Sequence, residues 1–349
     1  NVFGDDSNGV TGTKLLTQNV FTVDYENSAG TNYTLTEAGA GGIQLATNVS
    51  ATGVSGQVNL TATLGDIVNA TGSTTVITTG ASGASGSVNL LANGSVGIGV
   101  GCAPGEFIQL STPNLTASAP SGSVFVSDNV AVTLSGANTA KNGGTFFLTD
   151  TFAPGAVANT ISFAPGATVN GNNIILNATG ANAAISLSNA TITANSGSVA
   201  LISGADITVA STGGLAPITG AKTLVFASTS GSVGASGAAL TFSAENFSAT
   251  AANGSVYVND TFAGDVTIIN PNSPAILCCP TIANANTAKV DYFVQATNAA
   301  GTALQTATGV RVGAENVAAI STAGSVGKSG TTFATAANNL TLNAAVNVF

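Results

Sequence analysis

Histidine is missing from all 349 residues, and so are methionine and tryptophan. Without histidine, Ser-His-Asp and Cys-His catalysis and imidazole metal sites are excluded. Charge is almost as scarce, at 6% of residues, where ordinary soluble domains carry roughly a quarter. Disordered chains are poor in β-branched residues and highly charged; this one is rich in Val, Ile and Thr, so a folded chain is expected. The six basic residues, Lys14, Lys141, Lys222, Lys289, Arg311 and Lys328, are scattered, and the net charge is −9. A phosphate-binding surface needs clustered cations, so no nucleic-acid partner is expected. No apolar run approaches the roughly 18 residues of a membrane span. No leader is evident and the first residue is not Met, which reads as a mature or excised segment.

Cysteine occurs three times, at Cys102, Cys278 and Cys279. That is too few for a disulfide-stapled scaffold. The adjacent Cys278 and Cys279 can close a vicinal disulfide in an oxidising compartment, or sit as small buried apolar residues.

What the sequence does contain is repetition. Gly reaches 43 and hydrophobic residues 44%. Residues 114–130, NLTASAPSGSVFVSDNV, return at 246–262 as NFSATAANGSVYVNDTF, and Ala-Asn-Thr-Ala-Lys at 137–141 returns at 285–289. Gly-Ser-Val-Gly begins at Gly94, Gly231 and Gly324, with shorter forms at Gly56, Gly86 and Gly197. Each unit leads into alternating apolar and small polar residues, the period of a strand with one face inward. Gly, Asn and Ser supply the turns between strands. The expected fold is all-β, a right-handed parallel β-helix with short inserted loops; tandem β-sandwich modules are the alternative. The expected layout is residues 1–42 as an amino-terminal strand, cap or inter-protomer segment, then a solenoid over 43–349. Within it, about 94–141 resembles 231–289, with a partial third copy from 324. Val88, Leu90, Val124, Val126, Val199, Leu201, Val256 and Val258 are expected in the core.

Units such as SGSVALISGADITVAS and NGSVYVNDTFAGDVTII resemble those of filamentous-haemagglutinin-type exoproteins. The resemblance extends over about residues 40–349. It implies a right-handed parallel β-helix on a bacterial surface, with a role in adhesion or biofilm matrix. The amino-terminal secretion domain of such proteins is not evident in the chain.

Chemistry-bearing residues are few. Fifteen carboxylates are spread without a dense cluster, and Asp128 and Asp260 occupy equivalent repeat positions, which favours a turn role. Asp5, Asp6 and Asn8 form an oxygen-rich, glycine-ended segment that reads as a calcium loop or a plain turn. No catalytic residue and no cofactor are expected. Among twelve Asn-x-Ser/Thr sequons, Asn32, Asn93 and Asn253 are candidates for glycosylation. With so few ionising groups, stability is expected to change little between about pH 5 and 8. The two ends, Asn1-Val2-Phe3 and Val346, Val348 and Phe349, are uncharged and strand-like, and are expected to carry assembly. The functional expectation is an extracellular or cell-surface structural protein that polymerises head to tail. An adhesin for glycans or surfaces is the alternative, and a carbohydrate-active β-helix enzyme a weaker third.

Overall fold

The computed structural model describes residues 21–23, 27–71, 74–80, 85–99, 104–151, 160–180, 182–188, 190–209, 217–270 and 286–349. The segments with Asn1, Val2, Phe3, Asp5, Asp6, Asn8, Cys102, Cys278 and Cys279 lie outside the described residues. Among the described residues, strands make up the regular structure apart from a 3-10 turn at Pro104–Glu106. They stack as parallel coils in a β-solenoid. Two compact units are present, Asn1–Ile174 and Ile175–Phe349.

In the first unit, one coil holds β1 (Phe21–Val23), β2 (Asn27–Ala29) and β3 (Asn32–Glu37). The next holds β4 (Ile43–Leu45), β5 (Val49–Ala51) and β6 (Gln57–Ala62), and a third β7 (Ile67–Asn69), β8 (Val76–Thr79) and β9 (Ser87–Ala92). Matching strands pair in parallel, with Leu35, Leu60 and Leu90 in one inward row. The described strands of the 1–42 segment are thus rungs of the same stack. Then follow β10 (Ile108–Ser111), β11 (Asn114–Ala119), β12 (Val124–Asp128), β13 (Val132–Leu134), β14 (Ala137–Ala140), β15 (Thr145–Asp150), β16 (Thr160–Phe163) and β17 (Thr168–Gly171).

The second unit opens with β18 (Asn173–Ala178), which straddles the boundary, β19 (Ala184–Ser186), β20 (Thr191–Ala194), β21 (Ser198–Ser203) and β22 (Ile207–Thr208). Two long strands follow, β23 (Ile218–Ser228) and β24 (Leu240–Ala251), then β25 (Val256–Asp260), β26 (Val266–Ile268) and β27 (Asn286–Thr287). The last are β28 (Asp291–Ala296), β29 (Ala303–Thr306), β30 (Val312–Ser321), β31 (Ser325–Val326) and β32 (Thr335–Ala344). Phe226, Phe242 and Phe247 fill the interior, with neighbouring ring centres 5.4 and 5.3 Å apart. Such contacts add stabilisation beyond burial alone.

All eight valines and leucines expected in the core are buried, each beside an inward residue of a parallel neighbour within its own unit. Sandwich modules would pair antiparallel strands; here, among the described residues, antiparallel contacts are single bridges inside the turns Ala235–Ala238 and Lys328–Thr331. One expectation needs correction. In β12 the outward Phe125 and Ser127 are buried too, and so is the outward Phe147 of β15, rather than alternating with exposed ones. Phe107, arriving from the loop before β10, packs edge-on to the outward Phe125 and Phe147 at 6.1 and 5.1 Å. A strand pattern cannot announce a loop that returns to cover it.

Candidate functional site

The repeat motifs place four kinds of polar group, and their geometry sets what each can do. The Gly-Ser-Val turns stack on one another. The hydroxyl oxygen of Ser95 accepts the N–H of Ser123, and that of Ser123 accepts the N–H of Thr145. In the second unit Ser232 accepts from Ser255, and Ser255 from Asp291. A Cβ at Gly122 would strike the carbonyl of Gly94, and one at Gly254 the carbonyl of Gly231, so the turn backbones touch where glycine stands. The closing glycines, Gly97, Gly234 and Gly327, all have positive φ, between 69° and 75°, which β-carbon-bearing residues avoid. Asp66 and Asp206 complete the tie by accepting the N–H of Ser95 and Ser232 at 2.5 and 2.7 Å.

The Ala-Asn-Thr-Ala-Lys motifs solve a different local problem. Strand β11 lies against β13 through Asn114–Leu115 and against β14 through Ser118–Ala119, leaving a break between. Asn138 fills it: its buried carbonyl oxygen accepts the N–H of Ala117 at 2.9 Å, and its amide donates to Ser135 O at 3.1 Å. Asn286 repeats the device, accepting from Ala249 at 3.0 Å and donating to Ile269 O at 2.7 Å.

The third group is the buried carboxyls. Asp128 Oδ1 accepts the N–H groups of Val130 and Thr112, and Asp260 Oδ1 those of Phe262 and Ala244. The bond two residues ahead is the Asx turn that the repeat positions suggested. Both side chains are fully buried, however, and each Oδ2 has no hydrogen-bond partner. Burial pushes both carboxyls up to about 7, against the pull of the backbone N–H groups. The expected flat pH profile is therefore corrected at these two positions. Neither group reaches solvent, so neither can meet a dissolved substrate.

On the surface of the second unit, the Tyr257 hydroxyl donates to Asp291 at 2.5 Å. The Asn316 amide donates to the same carboxylate, and Asn339 donates to Asn316. The Tyr257 hydrogen bond, then that from Asn316, holds Asp291 below the usual carboxylate range.

An apolar group completes the set, on the last described strand, β32. Tyr292, Val317 and Leu340 occupy one inward row of β28, β30 and β32. Their exposures are 0%, 1% and 49%. The first two are roofed by a neighbouring coil; among the described residues none roofs Leu340. Val346, Val348 and Phe349, which follow β32 in the chain, are about half exposed as well. Val348 pairs with Val326 and the Phe349 N–H reaches Val326 O, so these residues extend the solenoid's own lattice.

Comparison with family models, curated proteins and solved structures finds no match. The resemblance to filamentous-haemagglutinin-type proteins therefore rests on the sequence units alone, and function has to be argued from geometry. Of the assembly residues read from sequence, Val346, Val348 and Phe349 are each about half exposed. Leu340 was missed; its pattern matches any inward strand position, and only the stack shows that no described residue covers it. Among the described residues no group of three or more Asp, Glu or Cys side chains could hold a metal ion. Asn32, Asn93 and Asn253 are exposed, and the last donates its amide to Thr229 O at 3.1 Å.

Proposed function

We propose that this chain is a structural protein of the extracellular space or cell surface, a β-solenoid that adds coil to coil, head to tail. The observation that carries the reading is the inward row ending in Leu340, where a core position buried in two coils becomes half exposed in the third. An apolar cross-section beside an unpaired strand edge is a template for another strand. A coil of the same kind offers the matching row and register. Because the edge of β32 would meet a different surface of the next chain, the contact is heterologous and propagates into a fibre unless it closes a ring. The scarcity of charge, 6%, supports close stacking, since few groups would need desolvation.

The test is the full 349-residue chain against a Val346→Lys/Val348→Lys variant, compared by sedimentation velocity and negative-stain electron microscopy. The expected result is fibres from the parent chain and a folded, shorter or monomeric species from the variant, because a lysine ammonium would be buried without a partner. Fibres of undiminished length from the variant would move assembly to lateral contacts and sink the end-to-end reading.

A further inference from the structure

The turn Ala307–Arg311, between β29 and β30, faces the turn segment Gly330–Thr332 that leads into β32. Between them lies a cleft of about 310 Å³. Its walls are fixed to each other: the Thr306 hydroxyl donates to Thr332 O at 3.1 Å and accepts the Ala334 N–H at 3.0 Å. Arg311, the sequence's single arginine, lines the cleft and is exposed. Among the described residues the one ion pair is Lys328 with Asp265, so the Arg311 guanidinium has no carboxylate partner. No carboxylate lines the cleft. The remaining lining is threonine, glycine and small apolar residues, with no aromatic ring.

We propose that this cleft is a binding site for a carboxylate-bearing sugar, a uronate ring. The reading goes beyond end-to-end assembly and does not rest on it. A guanidinium presents a fork of N–H donors that matches a carboxylate with two parallel hydrogen bonds. In a chain of net charge −9 a polyanion is repelled at long range, but a single carboxylate responds to the nearest charges within a Debye length of about 8–10 Å. Small-molecule pockets run from roughly 300 to 1,000 Å³, so this one takes a single ring rather than a long segment. The threonine-lined walls suit a ligand that carries hydroxyls around its carboxylate.

The experiment is calorimetric titration of the full chain, and of its Arg311→Gln and Arg311→Lys variants, with sodium glucuronate, glucose and sodium sulfate. Arg311 is exposed, so both variants should keep the parent circular dichroism and thermal midpoint. Glucuronate should bind the parent chain, and more weakly as salt rises. Arg311→Gln should weaken it by about tenfold or more, the loss expected for a charge-assisted hydrogen bond, with Arg311→Lys in between. Glucose and sulfate should each bind about tenfold more weakly than glucuronate, since each lacks half of the recognised chemistry. No detectable glucuronate binding, equal binding of glucuronate and glucose, or an Arg311→Gln variant that binds like the parent would each overturn the site. Sulfate binding as tightly as glucuronate would reduce it to a plain oxyanion site and overturn the sugar assignment. Repeating the titration on Val346→Lys/Val348→Lys separates the two proposals, because glucuronate binding should persist when the fibres do not form.

Discussion

At the scale of single residues, two carboxyls govern how stability responds to pH. Asp128 and Asp260 are pushed up to about 7 in the folded chain from an ordinary value of 3.8. The folded state therefore binds more protons than the unfolded state across that interval, and stability falls as pH rises through it. The contribution is fully present below about pH 4 and is lost by about pH 8. At 1.36 kcal/mol per unit, each carboxyl accounts for on the order of 4 kcal/mol. Asp265 and Asp291, held low by Lys328 and by Tyr257, act below that window. Thermal midpoints measured from pH 4 to 8 should fall in the parent chain and stay nearly level in an Asp128→Asn/Asp260→Asn variant, whose amides do not ionise. A parent profile already level would mean that the carboxyls titrate normally. Asn286 gives a second residue-scale test. Asn286→Ala removes the acceptor for the buried Ala249 N–H and Ser248 hydroxyl. An unsatisfied buried group costs about 1–3 kcal/mol, so urea unfolding of the second unit should shift by at least that amount, and an unchanged midpoint would show the break in the ladder to be tolerated.

At the scale of the element, the Gly-Ser-Val turn is the repeating fastener. Glycine lets two turn backbones touch, serine carries the hydroxyl that accepts from the next coil, and valine starts the inward row. Gly254→Ala puts a methyl group against the Gly231 carbonyl, which is backbone and cannot swing aside, and against the Ser232 hydroxyl. The expected cost is about 1–3 kcal/mol, as for other overpacked sites. It should be local, seen as faster amide exchange in β25 and β28 while β19 to β21 stay protected. Uniform protection across the second unit would show that the turns do not act coil by coil. This element was legible in the sequence because its three residue types recur together. The outer cluster of Phe107, Phe125 and Phe147 was not, since it depends on a loop folding back.

For the molecule as a whole, the balance is between an apolar open side and a net charge of −9 at pI about 4.1. Self-repulsion would oppose the proposed end-to-end addition at neutral pH and weaken as carboxylates protonate. Fibre growth followed by light scattering should therefore accelerate as pH falls from about 7 to 5 and respond to salt in the same sense, since salt screens the repulsion. Growth that slows on acidification would point to a charged contact at the junction instead of an apolar one.

The sequence by itself determined the solenoid. Period-two alternation, recurring Gly-Ser-Val turns and the scarcity of helix formers are local properties, and each specifies strands and turns without reference to distant contacts. It also marked Val346, Val348 and Phe349, because an uncharged strand-like run can be read from residue types alone. Only the tertiary structure decided that Asp128 and Asp260 lie dry in the core, that Asn138 and Asn286 bridge a split ladder, and that no described residue covers Leu340. The reason is common to all three. Burial and pairing in a solenoid depend on what occupies the coil above and the coil below, residues some 16 to 38 positions away, and a side chain's own identity carries no record of them.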